Sequence, residues 1–236
     1  MKLDVLAFAA HRDDLEITCG GTLAKLVEQG HSVGACDLTQ GEMGTRGTAD
    51  DRAREAEDAR KVLGLAVRVN GGLPDAGVFN VREQQERVVE VLRAHTPETV
   101  ILPGHDQRHP DHRITPQLVF DACYFSGLAK FGRGAPHRPR KILYVHTGYT
   151  PEPPTFVVDI TAQIEKKLAS IRAYASQFAP KAGEPLKPPG DHDMFEWVRS
   201  RARTYGMMIG KTYGEAFYQR ETMEVADPAR LSGQSM

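Results

Sequence analysis

Cysteine is scarce in this chain, and its spacing rules out two common uses. Cys19, Cys36 and Cys123 are odd in number among 236 residues and never occur as C-x-x-C. That argues against a disulfide framework or a cysteine-rich zinc knuckle. Three small buried thiols in a reducing cytoplasm is the reading that remains. No charge of one sign dominates either, with 30 Lys plus Arg against 31 Asp plus Glu. Without a sequence-wide field, neither nucleic acid nor an anionic membrane is expected as a partner. Long apolar runs are missing as well, and nothing approaches the ~20 residues that span a bilayer. Met1 to Ala10 has the outline of a short signal peptide, but Asp4 interrupts it and His11-Arg12-Asp13-Asp14 follows at once. It reads as a first strand. The turn after it lacks G-x-G-x-x-G, and two carboxylates there repel phosphate, which argues against a nucleotide-binding module.

What is present is a regular alternation. Leu3 to Ala10 is an almost unbroken apolar run, as in a parallel strand buried on both faces. Further strands are expected at His31 to Thr39, Ala66 to Val69 and Thr99 to Leu102. Helices are expected between them, at Gly20 to Val27, Asp51 to Leu63 and Val81 to Ala94, with another at Thr115 to Phe125. This is the pattern of βαβ units, and it predicts an α/β fold with a mainly parallel sheet and right-handed crossovers. The second half is less regular, with strands expected at Lys141 to Thr147, Phe156 to Ile160 and around Ala216 to Tyr218. Helices are expected at Ala162 to Ser176 and Met194 to Ile209, and a loop at Pro180 to Pro189. A length of 236 residues suits one domain, and no internal boundary or repeat is visible; residues from Leu231 onward have too little apolar content to stay ordered unaided.

Ligands on such sheets sit beyond the carboxyl ends of the strands. That places His11 to Glu16, Gly41 to Gly47, Leu73 to Gly77 and Gly104 to His112 on one rim. His11 and Asp14 then lie beside His109-Pro110-Asp111-His112 despite about a hundred residues of separation. His11, Asp14 and His112 supply three ligands suited to Zn2+, with Fe2+ or another divalent metal also compatible, and leave a fourth position for water. His105 is a rival ligand in the same loop. Asp13 is the candidate general base for a water acidified by the metal. His109, protonated, is the candidate donor to an oxyanion, and Asp111 the candidate for orienting one of the histidines. Metal-assisted hydrolysis is the reaction class these groups fit.

At these residues the chain resembles the LmbE/PIG-L family of metal-dependent N-acetylglucosamine deacetylases, and within it the bacillithiol-pathway deacetylases. The motifs that carry the likeness are Ala10-His11-Arg12-Asp13-Asp14-Leu15-Glu16, Cys19-Gly20-Gly21-Thr22-Leu23-Ala24, Asp37 to Thr48, Gly72-Leu73-Pro74-Asp75 and Arg108 to His112. Later echoes run from Ala173 to Phe178, Ala202 to Gly206 and Tyr213 to Phe217. The resemblance implies a Rossmann-like three-layer fold, His11, Asp14 and His112 as zinc ligands, Asp13 as base and His109 as oxyanion partner. It also implies substrate roles for Glu42, Asp75 and Arg52, with Glu42 alternatively stabilising its own glycine-rich loop. A small amino-sugar conjugate, N-acetyl-glucosaminyl-malate in particular, is the implied substrate, with inositol-linked or oligomeric N-acetylglucosamine as alternatives. Arg46, Arg52 and Arg108 are available for malate's carboxylates. A homo-oligomer, often a hexamer, is the implied assembly. One letter departs from the pattern: the first motif usually reads His-Pro-Asp-Asp, and Arg12 stands in place of the proline. Its side chain is expected to face solvent or an anionic substrate group.

Overall fold

The computed structural model describes residues 1–147, 153–179 and 193–230. Its centre is β1 (Val5–Ala9), whose five residues are all buried. Parallel neighbours β2 (Val33–Asp37) and β4 (Thr99–Leu102) flank it, with β3 (Val67–Asn70) beyond β2 and β5 (Lys141–Val145) beyond β4. Because side chains alternate along a strand, β1 feeds two cores. Leu6 and Phe8 join Val88, Val89, Leu92, Leu118 and Val119 on one face. Val5, Ala7 and Ala9 join Leu15, Cys19, Leu23 and Leu63 on the other. The helices supplying these residues are α3 (Arg82–His95) and α4 (Pro110–Ser126) on the first face, and α1 (Asp14–Glu28) and α2 (Ala49–Leu63) on the second. The expected three-layer α/β arrangement is the one the chain adopts, and the described residues contain no helix long and apolar enough to cross a membrane.

The far edge differs from a purely parallel sheet. β7 (Gly214–Tyr218) runs antiparallel to β5, and β6 (Phe156–Asp159) pairs antiparallel with β7, giving the order β3-β2-β1-β4-β5-β7-β6. The helices here are α5 (Ile164–Arg172), the single turn α6 (Ala175–Phe178) and α7 (Met194–Met208). A third core of Ile160, Ile164, Leu168, Ile171, Val198 and Ala202 joins α5 to α7. The loop expected at Pro180 to Pro189 and the tail from Leu231 lie outside the described residues.

α1 and α4 start five or more residues earlier than their apolar periodicity implies, and both starts bear on the site. α1 begins at Asp14, so Gly20 and Gly21 lie inside it; a Cβ on Gly21 would come within 2.7 Å of Ile160. α4 begins at Pro110, where proline's fixed φ and missing N–H suit a first helical position, with His109 as the N-cap. Both pairs of site residues are therefore held at helix N-termini rather than on free loops.

Candidate metal centre and active site

β1 and β4 are adjacent and parallel, so the turns after them open side by side. The first turn delivers His11, Asp13 and Asp14; the first turn of α4 delivers Asp111 and His112. His11 Nδ1 and His112 Nε2 lie 3.0 Å apart. Asp14 Oδ2 is 3.2 Å from His112 Nε2 and 3.5 Å from His11 Nδ1. Four ligands at zinc-like bond lengths define a tetrahedron with edges of roughly 3.3–3.4 Å. These three atoms describe one face of such a tetrahedron, so the donor set fits a metal by geometry as well as by chemistry. The histidine rings of His11, His109 and His112 also converge, with ligating nitrogens within 4.8 Å of one another. His109, however, spends Nδ1 on the helix cap, accepting from the Asp111 N–H at 3.2 Å.

The carboxylate that orients His11 is Asp75. Its Oδ1 sits 2.9 Å from His11 Nε2, which places the ring proton on Nε2 and points the Nδ1 lone pair at Asp14 and His112. Asp75 Oδ2 accepts from the Met43 N–H at 2.8 Å. Asp111, 1% exposed, lies 3.4 Å from His11 Nε2 and accepts from the Ala76 N–H at 2.9 Å. His11 is thus the histidine that Asp111 faces, behind Asp75. His11, Asp75 and Asp111 form a second cluster of metal-ligand type. Their oxygens already accept backbone N–H groups from Met43 and Ala76, which suits an orienting pair better than a second cation. Asp75→Ala is expected to weaken metal affinity about 10–100-fold with the ligand set intact, as measured by competition with a chromogenic chelator.

Electrostatics follow from this packing. Burial pushes His11 down, but the hydrogen bond and charge of Asp14, with Asp75 and Asp13, outweigh it and hold the imidazole up at about 9. Binding a metal at neutral pH therefore displaces a proton from His11. Burial alone would raise Asp14, yet His112 and His11 hold it well below the carboxylate range. Asp13 goes the other way. Burial, then the charge of Asp14, push it up to about 8, against the opposing pull of Arg52. A carboxylate poised near neutrality suits a general base. His109 is lowered, first by burial and then by the charges of His11 and His112. Nδ1 accepts the cap bond from the Asp111 N–H, which leaves Nε2 as the nitrogen able to donate a hydrogen bond.

The remaining expected residues divide. Glu42 accepts from the Asp75 N–H at 2.8 Å and the Gln40 N–H at 3.2 Å, organising its own loop. Arg46 donates to the Gln177 and Ala179 carbonyls. Arg52 is buried, donating to the Gly41 and Arg12 carbonyls beside Asp13. Arg12 does not face solvent: it is 9% exposed, and Nη1 donates to the Ala49 carbonyl at 2.8 Å. His105 Nε2 accepts from Arg220 at 2.7 Å. Arg108 alone among the arginines expected to meet malate lines the cleft, a space of about 540 Å³ also bordered by Asp14, His109 and His112. Sequence reasoning missed the cleft's other wall, Met194, Trp197 and Arg201 of α7. Their i, i+3, i+7 spacing is visible in the sequence, but nothing there ties α7 to the ends of β1 and β4.

Residues 6–123 match the family model described as PIG-L, GlcNAc-PI de-N-acetylase. The chain belongs to the PIG-L family. The PIG-L match spans β1 to α4 and so contains both halves of the metal centre. A diacetylchitobiose deacetylase of Thermococcus kodakarensis is 33% identical over 224 residues, covering 89% of this chain and 80% of that protein. A 1D-myo-inositol 2-acetamido-2-deoxy-alpha-D-glucopyranoside deacetylase of Kineococcus radiotolerans is 27% identical over 246 residues, covering 73% and 68%. Among solved structures, a conserved protein of Thermus thermophilus superposes with a TM-score of 0.86 at 36% identity, covering 97% of this chain and all of that one.

Proposed function

We infer that the protein hydrolyses the N-acetyl group of an N-acetylglucosamine conjugate, giving acetate and a free amine. The observation that carries this reading is the tetrahedral face formed by His11 Nδ1, Asp14 Oδ2 and His112 Nε2, with the half-buried Asp13 next in sequence to one of its corners. These three residues would hold a divalent metal, for which zinc suits the N₂O donor set, and the metal would polarise the acetyl carbonyl and acidify water. The protein's own groups do the rest. Asp13 takes one proton from the attacking water and later returns it to the departing amine nitrogen, so the carbon–nitrogen bond breaks without expelling an amide anion. His109 donates from Nε2 to the oxygen that gains charge during attack. Asp75 keeps His11 in the ligating tautomer throughout.

For the conjugate itself, N-acetyl-glucosaminyl-malate remains the proposed substrate. Support comes from Arg108, a cation lining the cleft that could meet a malate carboxylate. A second reading is favoured by the 33% identical diacetylchitobiose deacetylase. Acetate release from the malate, chitobiose and inositol conjugates separates these readings. The malate conjugate is expected to have the highest kcat/KM, and Arg108→Ala to raise its KM selectively. Equal loss on all three conjugates would contradict carboxylate recognition by Arg108.

A further inference from the structure

α1 runs unbroken from Asp14 to Glu28, yet a side chain from another element enters its hydrogen-bond ladder. In a regular helix the N–H groups of Gly21 and Thr22 belong to the carbonyls of Ile17 and Thr18. Here both point at one carboxylate. The Gly21 N–H donates to Glu215 Oε1 at 3.0 Å and the Thr22 N–H to Oε2 at 2.6 Å. The Ile17 carbonyl in turn accepts from Arg201 Nη2 of α7. A side chain inserted into the ladder is one of the few causes of a kinked helix. Thr18 is a second perturbation of the same kind, its hydroxyl donating back to the Asp14 carbonyl at 2.6 Å. Glycine makes the entry possible: a Cβ on Gly21 would lie 3.1 Å from Glu215 Oε1 and 2.7 Å from Ile160. Glu215 comes from β7 and is buried, and the buried Lys167 of α5 donates to its Oε1.

The turns before this joint carry the site. Asp14 opens the helix, and Ile17 and Thr18 line the cleft beside it. The helix start does little to hold them: its N-cap, Asp13, stands at φ 98°, in the left-handed region, and its side chain makes no capping bond. The groups that meet at the joint, Lys167, Arg201 and Glu215, come from α5, α7 and β7. All three lie beyond residues 6–123, the matched stretch that contains every proposed metal ligand. We propose that Glu215, paired with Lys167, is a positioning residue that holds the joint in α1 and so sets the place of Asp14 opposite His11 and His112. The second half of the chain thereby builds the metal centre without contributing a ligand to it. The proposal rests on the metal centre described above and not on the choice of acetylated substrate.

The test separates this role from that of an ion pair kept only for stability. Removing one buried charge leaves its partner uncompensated, whereas replacing both by apolar groups is often neutral for folding. Lys167→Met/Glu215→Leu, Lys167→Met/Glu215→Gln and Glu215→Gln are compared with wild type by denaturant midpoint and by zinc affinity in competition with a chromogenic chelator. Crystal structures of the metal-free wild type and of Lys167→Met/Glu215→Leu complete the set. That double variant is expected to keep a midpoint near wild type yet bind zinc about 10–100-fold more weakly, the range for groups that support ligands from behind. In its crystal the Gly21 and Thr22 N–H groups should return to the Ile17 and Thr18 carbonyls, with Asp14 Oδ2 displaced from His11 Nδ1 and His112 Nε2. Lys167→Met/Glu215→Gln retains one oxygen for these N–H groups, so its zinc affinity should fall between. Wild-type zinc affinity in Lys167→Met/Glu215→Leu would overturn the proposal, as would weakened binding with Asp14 unmoved. If that variant does not fold, Glu215→Gln carries the same affinity comparison, and an unchanged affinity there counts against the joint. If the wild-type protein binds no divalent metal, the metal-centre reading fails, and the place of Asp14 in the variant crystal still decides whether Glu215 positions it.

Discussion

Changing Asp13 to asparagine is expected to lower kcat for acetate release by about 10²–10⁴-fold while the protein still binds one equivalent of metal. The substitution isolates chemistry from structure. Asparagine has nearly the shape of aspartate and is among the few residues that tolerate a left-handed backbone, so the turn should survive. Asp13 supplies no corner of the tetrahedral face, which is made by His11, Asp14 and His112. What disappears is a carboxylate that burial and Asp14 raise to about 8, where it can accept a proton from water and release it to an amine. Steady-state kinetics with metal analysis on the same sample reads both halves. Undiminished turnover with the metal in place would remove Asp13 from the mechanism.

Replacing His11 by alanine should abolish metal binding and turnover together. His11 Nδ1 is one corner of the donor face, and its Nε2 is the shared partner of Asp75 at 2.9 Å and Asp111 at 3.4 Å. Removing the ring therefore deletes a ligand and leaves a buried acceptor without its donor, a loss of about 1–3 kcal/mol in folding stability. The backbone N–H groups of Met43 and Ala76, which also serve these carboxylates, keep the loss from being larger. Metal content after dialysis and a denaturant midpoint measure the two effects separately. A His11→Ala protein that retains stoichiometric metal would exclude His11 from the ligand set and shift attention to the cluster of His109 and His112.

Contrasting these two substitutions shows how much of the site can be read before folding. The alternation of apolar runs was enough to order β1 to β4 and to bring His11 beside His112, because parallel strands put their carboxyl ends on one rim. The antiparallel pairing of β6 and β7 was not legible, since a strand's direction leaves no mark on its side-chain pattern. Residue types with a narrow chemistry, His and Asp at strand ends, were found. The geometry of the carboxylates was not. Asp75 and Asp111 are both acidic residues on the same rim, and only the fold decides that Asp75 takes His11 Nε2 while Asp111 stands behind it.

The arginines were the least legible group. A guanidinium on a polar helix reads as solvated or substrate-facing, and its long stem lets it reach carbonyls that sequence spacing does not reveal. Arg12, Arg46 and Arg52 all turn inward to main-chain acceptors, and only Arg108 of the expected set lines the cleft. Arg12 is instructive because the usual proline at its position would restrain the turn covalently. Here a side-chain bond to α2 supplies a restraint instead. The cleft wall on α7 was missed for a different reason. Met194, Trp197 and Arg201 form an ordinary helical stripe, and their distance from the metal centre in sequence exceeds anything periodicity can bridge.

The central claim, one metal held by His11, Asp14 and His112 that is required for N-deacetylation, is tested most directly by titration. Protein stripped with chelator is reconstituted with zinc while acetate release from an N-acetylglucosamine conjugate is followed. Turnover is expected to be absent without metal, to rise in proportion to added zinc, and to level off at one equivalent. Full turnover in the stripped protein, or one tightly bound equivalent with no acetate released from any N-acetylglucosamine conjugate, would contradict the account.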